Sequence, residues 1–170
     1  DKYYNFCISY KDYETYKRDG ANVDKLLVCP NGAQHRDYHF TEKPLKPSWT
    51  LYLGRIEPRK RQYLYQDIYG VEFVGKYTDT TSFDRNRDCY LGQWEHEYKL
   101  QHVTDYGNMM LLSDGENGTP LVIKEALVAG LGVVVSKYAA HDLDTSLPFV
   151  TVIPDDKWED IEYVLSLIHI

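Results

Sequence analysis

No stretch of this 170-residue chain stays apolar for the ~20 residues that a membrane-spanning helix requires. The N-terminus, DKYYNFCISY, has no basic segment leading into an apolar core, so it does not read as a secretion signal. Cysteine is scarce. Cys7, Cys29 and Cys89 are odd in number and widely spaced, and they form neither a zinc pattern nor a disulfide framework. That usage suits a reduced, cytoplasmic setting. Positive charge is in deficit: 19 Lys and Arg against 26 Asp and Glu leave a net charge of −7. This argues against a general nucleic-acid binder and leaves room only for a local basic cluster facing a phosphate. No repeat of fixed period and no low-complexity tract is present.

What remains is ordinary for one globular domain, with 43% hydrophobic and 26% charged residues. Sixteen tyrosines are many, but they are spread along the chain and mark no single site. Residues 1–25 are polar and tyrosine-rich, with helical spacing around Tyr10, Tyr13 and Tyr16-Lys17 and a stop at Gly20. Leu26 to Cys29 reads as a short buried strand ended by the turn Pro30-Asn31-Gly32. Residues 33–48 read as a loop. His35 and His39 are four apart, a spacing that suits a metal on a helix. Pro44 and Pro47 favour a loop, and no third ligand is evident, so no metal is expected.

Trp49 to Leu53 predicts a strand running into Gly54-Arg55-Ile56-Glu57-Pro58-Arg59-Lys60-Arg61. Pro58 suits the first turn of a helix continuing from Arg59 to Tyr69. The basic run there could be a solvated face. Its place after a strand, where ligands bind in open α/β sheets, gives it weight. Val71 to Val74 is the next strand. Residues 76–88 form a polar excursion, with Thr78 to Ser82 its least apolar part, and Cys89 to Gly92 is a further short strand. Glu95 to Tyr106 has the spacing of an amphipathic helix, and Asn108 to Leu112 that of a strand.

The stretch Ser113 to Ser136, SDGENGTPLVIKEALVAGLGVVVS, then joins a polar loop, an apolar helix opened by Pro120 and closed by Gly130, and the β-branched run Val133-Val134-Val135. A loop feeding a helix N-terminus favours an anion. His141 falls in a short helix or loop, Phe149 to Ile153 is a strand, and Trp158 to Leu167 is a terminal helix. Alternating strands and helices predict an α/β fold: a Rossmann-like parallel sheet flanked by helices.

These pieces stand in one order. Asn31-Gly32 follows a strand, and Gly54-Arg55 has Lys60 five residues on. Val71-Glu72-Phe73-Val74-Gly75 and Leu91-Gly92 come next, then Gly115-Glu116 with Lys124-Glu125-Ala126-Leu127 and Ala129-Gly130. From about residue 26 to 163 the pattern resembles the C-terminal, donor-binding half of a GT-B glycosyltransferase of the family 4 type. The resemblance implies a nucleotide-diphosphate sugar as donor, transfer with retention, no metal, and an acceptor held by a preceding domain. Arg55 and Lys60 would hold the diphosphate, where fixed cations stabilise charge on the leaving group. Glu125 would bond the ribose hydroxyls. Glu116 would face the donor sugar. Backbone N–H groups from Asn117, Gly118, Thr119 and Leu121 would meet phosphate and sugar oxygens, Pro120 having none to give. Lys76, Tyr77 and Trp94 are near the expected place of the base, which is left unassigned.

The chain departs from the family at one point. The family's paired glutamates have seven residues between them, whereas Glu116 and Glu125 have eight. Either the loop carries one extra residue absorbed at Gly118, or Asn117 takes the sugar-facing position. On this reading residues 1–25 are the tail of an acceptor domain or a linker, and residues 26–164 are the nucleotide-sugar-binding domain. Residues 165–170, LSLIHI, resemble the read-through of a transposon-end sequencing adapter and would be a foreign tail. Two other functions fit the same fold: a non-catalytic binding domain, favoured by the irregular glutamate spacing, and a sugar-nucleotide epimerase, for which His141 is the late histidine near a strand end.

Overall fold

The structure is a computed structural model that describes residues 3–78 and 82–168. Within the polar excursion, residues 79–81 lie outside the described residues, as do the last two residues of the expected foreign tail.

Among the described residues two parallel sheets form. The smaller pairs β1 (Asn5–Cys7) with β2 (Leu26–Val28). Between them runs helix α1 (Tyr10–Arg18). The Ser9 hydroxyl caps α1 by accepting from the Asp12 N–H at 3.1 Å. Asp12 in its first turn and Lys17 and Arg18 in its last suit the helix dipole.

The larger sheet has five strands: β3 (Lys46–Leu53), β4 (Val71–Val74), β5 (Tyr106–Leu111), β6 (Gly132–Ser136) and β7 (Val150–Ile153). Their spatial order is β4-β3-β5-β6-β7, and all neighbours are parallel. Helices α2 (His96–His102), α3 (Leu121–Ala129) and α4 (Ile161–Ile168) connect and cover it. Consecutive residues Met109 to Leu112 and Val133 to Val135 are all buried, so both faces of the central strands are covered. That is the reason these strands read as continuous apolar runs rather than as alternating patterns. Ile123, Ala126 and Ala129 turn the apolar face of α3 to this core, and Val164 and Ile168 do so for α4.

The strand order reverses at β3 and β5. From β3 the chain moves outward to β4, then returns across β3 to place β5 on its other side. The loops leaving β3 and β5 therefore diverge and open a crevice at the C-terminal ends of these two strands, where ligands bind in such sheets. Gly75, at the end of β4, has φ 151, and a methyl group on it would overlap the Gly54 carbonyl. This close approach fixes where the chain turns out of β3.

Several expectations need correction. The helix predicted over Arg59 to Tyr69 is two short 3₁₀ turns, Pro58–Lys60 and Gln62–Tyr65. They are separated by Arg61 at φ 55, in the left-handed region. Tertiary bonds outweigh helix propensity here. The Gln62 amide bonds the Arg55 carbonyl at 2.8 Å, and the Arg61 guanidinium stacks 3.5 Å from the Trp158 ring centre. The helix expected from Glu95 to Tyr106 ends at His102 and tightens into a 3₁₀ turn over Val103–Asp105, so Tyr106 already belongs to β5. Cys89 to Gly92 is not a full strand: it runs beside β4 with one bridge, between Phe73 and Tyr90, and backbone bonds that tie it to Phe73 and Gly75. The terminal helix begins at Ile161 rather than Trp158. β2 pairs with β1 and not with the five-stranded sheet.

Candidate functional site

The crevice between the ends of β3 and β5 gathers the basic run and the glycine-containing loop. After β3 the chain passes Gly54 and Arg55 into the turn Pro58–Lys60. After β5 it passes Ser113 and Asp114 to Glu116. The two loops are stapled from below by Tyr52. Its fully buried hydroxyl accepts from the Leu112 N–H at 2.8 Å and donates to the Lys60 carbonyl. Burial raises the Tyr52 hydroxyl well above its ordinary pKa, so it stays neutral and keeps both roles. Higher up, the Asp114 N–H donates to the Arg59 carbonyl at 3.1 Å, and the Arg59 guanidinium donates to the Gly115 carbonyl.

On this frame Lys60 and Glu116 meet. The Lys60 ammonium donates to Glu116 Oε1 at 2.8 Å, and the two side chains are only 10% and 14% exposed. The Lys60 stem runs past Gly54, 3.6 Å from where a Cβ would stand, an ordinary van der Waals contact. Arg59 stands 3.8 Å from the same carboxylate oxygen. Glu57 draws the arginines together, bonding Arg59 at 2.8 Å and lying 3.8 Å from Arg55. Arg55 is the freest of these cations, with 63% of its side chain exposed. An ammonium has three N–H donors, and Glu116 takes one. The crevice thus holds a nearly buried cation with donor capacity to spare, flanked by guanidinium groups and one carboxylate.

The loop geometry bears on the spacing question. Glu116 turns in toward Lys60. Asn117 is exposed, 3.5 Å from the Lys11 ammonium of α1. Gly118 follows at φ 107, a conformation that side-chain-bearing residues rarely adopt, and is packed against Ser9 and Asp142. Thr119 and Asp142 bond reciprocally: the Thr119 N–H donates to the Asp142 carboxylate at 3.2 Å, and the Asp142 N–H donates to the Thr119 hydroxyl at 3.1 Å. The Thr119 N–H, expected to face a ligand, is therefore already engaged. Leu121 opens α3 and is half exposed.

Glu125, in the middle of α3, is not joined to the Lys60–Glu116 pair. Both of its oxygens accept from the Lys99 ammonium of α2, at 3.0 and 2.9 Å. Nothing in the sequence spacing indicated Lys99, because the pair links two helices 26 residues apart. Trp94 packs beside Tyr98, His102 and Tyr106. Lys76 and His141 are exposed, and the Tyr77 hydroxyl donates to the Phe83 carbonyl at 3.3 Å. Among the described residues no group of three or more His, Cys, Asp or Glu side chains could hold a metal ion. None of the described helices is long and apolar enough to cross a membrane.

No family model matches the chain, and no curated protein matches it. Solved structures do. HepE from Anabaena in complex with UDP-glucose superposes with a TM-score of 0.70 at 13% identity, covering 95% of this chain and 52% of that one. The lipopolysaccharide outer core galactosyltransferase WaaB gives 0.66 at 17% identity over 97% and 52%. Sucrose-phosphate synthase from Thermosynechococcus elongatus gives 0.65 at 18% over 95% and 47%. These superpositions, at such low identity, show the fold alone: the Rossmann-like half of the GT-B arrangement. The chain spans about half the length of the structures it matches.

Proposed function

We propose that this chain is the donor-binding half of a glycosyltransferase and holds a nucleoside-diphosphate sugar in the crevice between β3 and β5. The observation that carries the reading is the Lys60 ammonium, nearly buried at the topological switch point, with Arg55 and Arg59 beside it and Glu116 across from it. Such fixed cations suit a diphosphate, whose charge grows as the glycosidic bond breaks. Support also comes from HepE, a similar fold described with UDP-glucose.

In this reading Arg55 and Lys60 bind the diphosphate, and Glu116 faces the donor sugar. Glu125 accepts from the ribose hydroxyls, and the N–H groups of Asn117, Gly118 and Leu121 meet phosphate and sugar oxygens. No metal takes part, and retention of configuration belongs to the same proposal. The acceptor is held by a second domain preceding this one. β1 and β2 belong with that domain, since Phe6 and Leu27 leave this small sheet with apolar surface exposed. This chain alone then binds donor and transfers nothing, because bringing donor and acceptor together supplies much of the rate.

The test is a thermal melt with UDP, GDP and ADP. One of them raises the melting temperature, and Arg55→Ala abolishes the rise while leaving the unliganded melt within about 1 °C, as expected for an exposed pair. No shift with any of the three would refute the reading.

A further inference from the structure

Glu125 is held in a way that a merely exposed helix residue would not be. The Lys99 ammonium lies nearly equidistant from its two oxygens, at 3.0 and 2.9 Å, and the side chains are 17% and 18% exposed. Beneath them lies Tyr38, buried, with its ring centre 5.8 Å from the ammonium. The Tyr38 hydroxyl faces the pair closely enough to act on the charges of both Lys99 and Glu125. A carboxylate offers about four lone-pair sites, two on each oxygen. Lys99 uses one on each. That leaves one on each oxygen, the arrangement a vicinal diol needs.

We infer that Lys99 is a positioning residue for nucleoside recognition: it fixes the plane of the Glu125 carboxylate so that both oxygens can accept from adjacent ribose hydroxyls. The inference rests on the donor-site reading above and adds to it a residue from a different helix. It also separates two parts of the ligand. The diphosphate is read by Lys60 and Arg55, after β3, and the ribose by the Lys99–Glu125 pair, between α2 and α3. Loosening the pair then weakens nucleoside recognition and leaves diphosphate recognition alone. Burial alone would lower the Lys99 pKa. The Tyr38 hydroxyl and the Glu125 carboxylate outweigh it and raise the net value, so the ammonium stays charged at neutral pH.

The experiment measures calorimetric affinities of the full chain for UDP, GDP, ADP and inorganic pyrophosphate, in the parent and in Lys99→Met, which keeps the packing of the stem. The parent binds one nucleoside diphosphate more tightly than pyrophosphate. Lys99→Met lowers that nucleotide's affinity by about tenfold, the order expected for a lost charge-assisted interaction, and leaves pyrophosphate within about twofold. Lys99→Arg, which can hold the carboxylate with its fork, restores most of the preference. Lys99→Gln serves as a second loss variant should the methionine chain melt too low for calorimetry.

An equal loss for nucleotide and pyrophosphate would make Lys99 a structural pin and overturn the inference, as would no loss for either. A parent that binds pyrophosphate but prefers no nucleotide also overturns it and leaves the diphosphate clamp standing. A parent that binds neither removes both readings together.

Discussion

Replacing Tyr52 by phenylalanine isolates the staple under the crevice. The ring remains, and with it the stacking on Phe73 at a centroid distance of 5.8 Å. Only the hydroxyl is lost. Two main-chain groups then lose their partner in a fully buried place: the Leu112 N–H at the exit of β5 and the Lys60 carbonyl in the turn after β3. A buried polar group left unsatisfied costs about 1–3 kcal/mol. With two such groups the sum comes to about 2–6 kcal/mol. In a chain of this size each kcal/mol shifts the melting temperature by about 2–4 °C, which gives a fall of roughly 4–24 °C. Differential scanning calorimetry with and without UDP measures it. The nucleotide-induced shift should shrink as well, because the turn that carries Lys60 loses its tether to β5. A melt within about 1 °C of the parent would refute the staple. A lower melt with an unchanged nucleotide shift would show that the staple serves the fold and not the clamp.

Two further outcomes follow from the same geometry. Gly75→Ala should cost more than about 4 kcal/mol, because the new methyl overlaps the Gly54 carbonyl and φ is 151. Circular dichroism would show it as a chain unfolded or melting far below the parent, and a near-parental melt would mean that β3 and β4 part easily at their ends. For pH, the Lys99 ammonium is raised above 10.5, so its pairing with Glu125 is fully present below about pH 10.5 and is lost only as pH climbs through the raised value. The difference in melting temperature between parent and Lys99→Met should therefore stay flat from neutral pH to pH 9.5 and narrow above pH 10.5. Narrowing near pH 8 would contradict it.

The sequence made parts of this fold readable and hid others. The run Val133 to Val135 and the apolar pattern closed by Gly130 are local signals, and β6 and α3 stand where they pointed. Arg61 gives no such signal. Its left-handed backbone is imposed by Gln62 reaching back to Arg55 and by Trp158 stacking on the guanidinium, and the latter contact comes from 97 residues away in the chain. The partner of Leu26 to Val28 was equally hidden, because three apolar residues announce a strand but not a neighbour. Of the site, Lys60 and Glu116 were legible as charged residues after strands. Their pairing depends on β5 crossing back beside β3, a matter of sheet order that periodicity does not carry.

The spacing of Glu116 and Glu125 meets the same limit from the other side. Counting along the chain makes Glu116 and Asn117 rivals for one position. The fold separates them by environment. Glu116 has a nearly buried cation 2.8 Å away, and taking that carboxylate out would leave the Lys60 charge without its nearest counter-charge in a low-dielectric place. Asn117 has only the exposed Lys11 at 3.5 Å and gains little from any particular direction. One added residue in a loop costs little closure entropy. Gly118 stands at φ 107 directly after the two rivals, and the Thr119–Asp142 bonds anchor the entry to α3. The inward direction of Glu116 is therefore held by its ion pair with Lys60, whereas no comparable contact holds the exposed Asn117 to one direction.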